Sequence, residues 1–143
     1  MAASSPVVIA SDQSVFSVSI GSSTGKTVIG KTGTLVTTAV TADQVILTYT
    51  VTGGKTLYLE GFDWQVARTT LDSTNDEFGN ISLETPSGAK IQTWNARGAG
   101  KDSFNRSITE PLPIAAGTVI RFVVTPTVTN STTWVANLLG WEK

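Results

Sequence analysis

Apolar and polar positions alternate along this chain with a period of two, and short β-branched runs broken by Gly, Pro, Asn and Ser recur about every ten residues. Helical spacing is almost absent. In QVILTYTVT, Val45, Leu47, Tyr49 and Val51 share one parity and Ile46, Thr48, Thr50 and Thr52 the other, which predicts a strand with one buried face. The run TLYLEGFDWQVART puts Leu57 and Leu59 on one parity but Phe62, Trp64 and Val66 on the other. One extra residue near Gly61, a β-bulge, is expected to keep both sets inward. NISLETPSGAKIQTW reads as a hairpin turning at Pro86, Ser87 and Gly88. Beyond the polar stretch NARGAGKDS come FNRSITEPLPI and GTVIRFVVTPT, the latter with Ile120, Phe122 and Val124 on one side and Arg121 on the other.

The final run, TTWVANLLGWEK, is apolar on both faces: Trp134, Ala136 and Leu138 on one, Val135, Leu139 and Trp141 on the other. Such a strand is expected to have core behind it and a neighbouring subunit or the N-terminal segment in front. About eight strands without crossover helices predict an all-β chain, an antiparallel β-sandwich of jelly-roll-like type, over residues 44–143. Residues 1–43 read differently. They hold four charges, Asp12, Lys26, Lys31 and Asp43, many small residues, and extended runs at PVVIA, VFSVSI, TVIG and TLVTTAV. They are expected to form an extended N-terminal arm, wanting a partner strand but too poor in large residues to build a core.

Composition narrows the function. A chain of 143 residues can bury a single core without a staple. With no Cys and no His, disulfides, thiol catalysis, Cys- or His-ligated zinc and Ser-His-Asp arrangements are excluded. The net charge is -1 and like charges form no run, so neither nucleic acid nor a membrane surface is an expected partner. MAASSPVVIASDQS lacks the basic start and apolar centre of a signal peptide, so the chain is expected to be cytosolic when made.

Several short motifs invite chemistry. GSSTGKTVIG nearly spells a phosphate-binding loop, but Gly21 and Gly25 are one residue too close and Lys26 and Thr27 lead into a strand-like run instead of a helix. Asp72, Asn75, Asp76 and Glu77 could offer oxygens to calcium, without the alternate spacing of an EF-hand. Glu60 with Asp63, or Glu84 with Glu110, are conceivable acid/base pairs that nothing in the sequence brings to one cleft. Arg97, Lys101 and Arg106 surround a cationic Gly loop that could seat a phosphate, and Asn80, Asn105 and Asn130 begin Asn-x-Ser/Thr triplets. None of these defines an enzyme, and no cofactor or metal is expected. Of the four tryptophans, Trp64 and Trp134 fall in register with core positions. Trp94 and Trp141 remain open to a sugar site or a subunit contact.

The segment SSPVVIASDQSVFSVSI, residues 4–20, resembles a phrase near the N-terminus of virion structural proteins of tailed bacteriophages. GGKTLYLEGFDWQV, PLPIAAGTVIRFVVTP and the terminal WVANLLGWE look like the β-sandwich of phage accessory head and tail proteins. The resemblance implies a capsid cement or decoration protein, assembled in the host cytoplasm and bound to the outside of the shell as a homotrimer, with the major capsid protein as partner. It transfers no catalytic residue. Interface candidates are Pro6, Val7, Val8, Ile9, Val15, Phe16 and Val18 in the arm, and Val135, Leu139 and Trp141 on the last strand. The alternative is a tail accessory protein or a carbohydrate-binding β-sandwich module.

Overall fold

Strand-forming runs and tight turns predominate because Thr, Val and Ile suit a pleated, half-buried surface while Gly and Pro end it. The structure, a computed structural model, describes residues 25–68, 77–98, 100–127 and 130–143. Among these are eight strands: β1 (Thr27–Thr37), β2 (Gln44–Thr50), β3 (Leu57–Arg68), β4 (Glu77–Glu84), β5 (Lys90–Arg97), β6 (Lys101–Ile114), β7 (Val119–Pro126) and β8 (Thr132–Glu142). They form two antiparallel four-stranded sheets packed face to face. Sheet A has the order β1-β8-β3-β6 and sheet B the order β2-β7-β4-β5. That is the strand order of a jelly roll, the expected β-sandwich.

The expected bulge in β3 is present, with the register shifting between Leu59 and Gly61. Leu57 and Leu59 before it, and Phe62, Trp64 and Val66 after it, all point into the core. The hairpin at 85–89 also forms as read, closed by Gly88 N donating to the Thr85 carbonyl and Thr85 N donating to that of Ala89. Gly88 adopts a φ of 80°, which an L side chain would strain. On β7, Ile120, Phe122 and Val124 are buried, and Phe78, Ile81 and Leu83 of β4 join them.

Two readings need correction. In β2 a second bulge, between Val45 and Leu47, turns Ile46 into the core and leaves Val45 exposed, so the parity holds only from Leu47 onward. The bulge lies where β1 crosses close above. A Cβ on Gly33 would clash with the Ile46 carbonyl, so only glycine lets the two sheets pinch together there. The second correction concerns the boundary at residue 43. β1 is a full member of sheet A, paired with β8 from Thr27 to Thr37, with Ile29 and Leu35 against the core. Its small residues made it look like an arm, although only Gly33 is small because of a close approach; a Cβ at Gly30 meets nothing within 4 Å. The rest of the expected arm, residues 1–24, lies outside the described residues.

Candidate functional site: the outer face of sheet A

Register builds this face row by row. Across β1, β8, β3 and β6, Val28 lies beside Trp141, Trp141 beside Tyr58, and Tyr58 beside Pro113, giving an apolar row. The next row sets Leu139 between Gly30 and Gly61, so its side chain stands clear and is 56% exposed. Then comes a polar row, in which Thr32 donates its hydroxyl to Asn137 Oδ1 at 2.6 Å and Asn137 Nδ2 donates to Asp63 Oδ1 at 2.6 Å.

The three last-strand candidates therefore share a surface. Val135, Leu139 and Trp141 all point outward, Val135 and Trp141 half-buried, behind an inward set of Trp134, Ala136 and Leu138. Pro6, Val7, Val8, Ile9, Val15, Phe16 and Val18 lie outside the described residues.

Trp141 is stacked on Tyr58, with ring centroids 4.0 Å apart and planes 14° apart, and the Lys26 ammonium sits 3.8 Å from the same ring centroid. Two groups that close to one centroid cannot share a side, so both faces of the indole are occupied. Its N–H donates to Glu60 Oε1 at 2.9 Å. Trp94 is half-buried against Phe62, Phe104 and Phe122, plugging the margin between β5 and β6. Trp64 and Trp134 are core residues as expected, and the Trp134 N–H donates to the Thr37 hydroxyl at 2.9 Å.

The remaining motifs separate. Lys26 and Thr27 lead into β1, with Lys26 committed to Trp141, so the phosphate-loop spelling has no helix behind it. The calcium reading of Asp72, Asn75, Asp76 and Glu77 lies outside the described residues except for the backbone of Glu77, which pairs with Arg97. Glu84 and Glu110 belong to different sheets. Arg97, Lys101 and Arg106 do not converge: Arg106 reaches across to Gln92 Oε1 at 2.5 Å, while Arg97 Nε donates to Asn95 Oδ1 at 3.1 Å. Glu60 and Asp63 do border one shallow depression, over Gly61, each already accepting a hydrogen bond.

Two buried carboxylates escaped the sequence reading as structural groups. Glu84, on the outer side of sheet B, accepts from Arg121 at 3.0 Å and from Lys90 and Ser82. Burial works to raise its carboxyl, and these donors outweigh it, leaving the group below its ordinary value. Glu142 lies at the same end of the sandwich, where Tyr49, one register position from the Arg121 row, donates to it. Lys90, across the hairpin, was a sequence signal for Glu84, whereas Arg121 reaches it only through the pairing of β4 with β7, and Glu142 carries none.

Neither the protein-family models nor the curated proteins contain a match to this chain. A solved structure of Bacillus endospore appendages, described as a novel family of disulfide-linked pili, is similar over 80% of this chain and 89% of its own, at 11% identity and a TM-score of 0.37. At that distance the likeness carries no function across.

Proposed function

We propose that the protein is a virion structural module, a capsid decoration protein of a tailed bacteriophage that attaches to the outside of the shell as a homotrimer. The observation that carries this reading is the outer face of sheet A. Behind β8 the core is complete, yet in front of it stand Val28, 83% exposed, Leu139, and the Tyr58–Trp141 pair. Copies of a chain with net charge -1 do not repel one another strongly, and an apolar row across a rigid sheet suits packing against a second copy. The phage-like phrase at residues 4–20 precedes β1 in the chain, and we assign shell attachment to it, by strand addition to the shell protein. Three such segments on one body act at high effective concentration, so modest contacts make a firm clamp.

The rival module that stacks sugars on aromatic rings loses its platform, because three tryptophans pack inside the sandwich and Trp141 is covered on both sides. Co-sedimentation with emptied, undecorated shells tests the proposal. Full-length protein is expected to bind at low and high salt, since a nearly neutral contact has little screened attraction to lose. Protein lacking residues 2–24 is expected to stay in the supernatant. Equal binding by both would move the contact to the sandwich, and binding by neither would end the decoration reading.

A further inference from the structure

Beside the apolar row, a groove runs along sheet A above β3. Its floor is Gly61, Asp63, Gln65 and Ala67, alternate residues that all face outward. Two depressions follow one another along it, about 200 Å³ over Gly61 and Asp63 and about 560 Å³ over Gln65 and Ala67. At the strand rise of about 3.3 Å per residue these positions span about 20 Å. Register sets Asp63 between Asn137 and Asn105, and Gln65 between Val135 and Ser103.

We infer that this groove binds an unbranched, uncharged glycan chain. An extended peptide has no strand edge to join here, because β3 is hydrogen-bonded to β8 on one side and β6 on the other. Recognition falls to side chains, and along the middle of the groove those are the amides of Gln65, Asn105 and Asn137 and the hydroxyl of Ser103, with charged groups around them, which offer donors and acceptors at the short spacing of neighbouring sugar hydroxyls. Asp63 is held in place: Thr32 orients Asn137, and Asn137 orients Asp63. Val135 and Leu139 along the β8 wall supply apolar surface for the C–H faces of a sugar ring. Charges of both signs line the groove, Glu60, Asp63 and Asp102 with Lys101 and Arg106, so no single sign dominates and neither an anionic nor a cationic polymer is favoured. Recognition by hydrogen bonds without a stacking ring is weak per site, which suits a face repeated many times on a larger assembly. The groove shares its β8 wall with the proposed contact between copies, so the inference rests on that contact leaving the groove open; it does not depend on shell attachment.

The test is a titration of the isotope-labelled full-length chain, followed by amide resonances, with maltotetraose, cellotetraose and chitotetraose, and with a Gly-Ser octapeptide as the extended-chain alternative. At least one tetrasaccharide is expected to shift amides of residues 61–67 and 101–107 saturably at millimolar concentration. Gln65→Ala with Asn105→Ala, both at exposed positions, is expected to weaken binding about ten-fold by removing side-chain hydrogen bonds. Ala67→Tyr, which fills one end of the floor, is expected to abolish it. The same spectra report folding, and if either variant misfolds the other decides. No shift with any of the three sugars, shifts confined to other strands, binding that survives the folded variants, or binding of the octapeptide alone would each overturn the inference.

Discussion

Tyr49 on β2 donates its phenolic O–H to Glu142 Oε1 on β8 at 2.6 Å, tying sheet B to sheet A at one end of the sandwich. The same oxygen accepts from Thr52 N at 2.9 Å. A carboxylate this buried is tolerated because its acceptor capacity is used.

The pH dependence of stability follows from that pair. Burial works to raise the Glu142 carboxyl, but the hydrogen bonds from Tyr49 and Thr52 prevail and hold it below its ordinary value. The folded chain thus binds this proton less readily than the unfolded one. Its contribution to stability is present above the ordinary carboxylate range and is lost as pH falls through the folded value. Tyr49 runs the other way: burial, then the hydrogen bond and charge of Glu142, push the phenol up to about 12. Its contribution is present below the ordinary phenol value and is lost as pH rises towards about 12. Glu142→Gln is expected to cost about 1–3 kcal/mol at neutral pH and to flatten the acid limb of the stability profile. Thermal unfolding across pH is the measurement. An acid limb unchanged by the substitution would mean that Glu84 and other carboxylates set it.

Truncation separates the two possible boundaries. Removing residues 2–24 leaves the eight strands of the described residues and is expected to leave the melting temperature of the sandwich nearly unchanged. Removing residues 2–43 takes β1 away, unpairs one side of β8 and strips the hydroxyl partner from Trp134. That fragment is expected to be unfolded or aggregated, because the new edge is long and apolar. A cooperative melt from residues 44–143 alone would restore the boundary at residue 43.

Gly33 and Gly30 make a paired test of the pinch between the sheets. A Cβ at Gly33 meets the Ile46 carbonyl, whereas one at Gly30 meets nothing within 4 Å. Gly33→Val is expected to cost about 2 kcal/mol or more through backbone displacement, and Gly30→Val to cost little. Denaturant unfolding of the two variants compares them directly. Equal losses would mean that strand propensity, not the close approach, governs both positions.

The legible parts of this fold are those that side-chain period controls. The two faces of β8, the phase shift at Gly61 and the Pro86–Gly88 turn could be read because each follows from alternation or from turn chemistry within a few residues. The bulge at Ile46 could not, since its cause is Gly33 on another sheet. For the same reason β1 looked like an arm: its pairing with β8 joins residues about a hundred positions apart. The face of Val135, Leu139 and Trp141 was visible in advance, but the groove beside it was not, because its walls come from β6 and β8 and its floor from β3.

Leu139 decides whether that face holds copies of the chain together. It stands between two glycines, Gly30 and Gly61, so no neighbouring side chain in its row shields it and its removal opens no cavity. Leu139→Asp is therefore expected to leave the melting temperature of the individual sandwich almost unchanged, since an exposed substitution rarely shifts stability by more than about 0.5 kcal/mol. In a contact between copies the same change buries an unpaired carboxylate, which typically costs several kcal/mol and would dissociate a trimer at micromolar concentration. Ile91, on β5 at the margin of sheet B and 39% exposed, provides the matched control: Ile91→Asp is expected to leave association intact. Light scattering of wild type and both variants should give a trimer, a monomer for Leu139→Asp and a trimer for Ile91→Asp. A monomeric wild type would remove self-association from the proposal, and dissociation by Ile91→Asp alone would transfer the interface to the β5 margin.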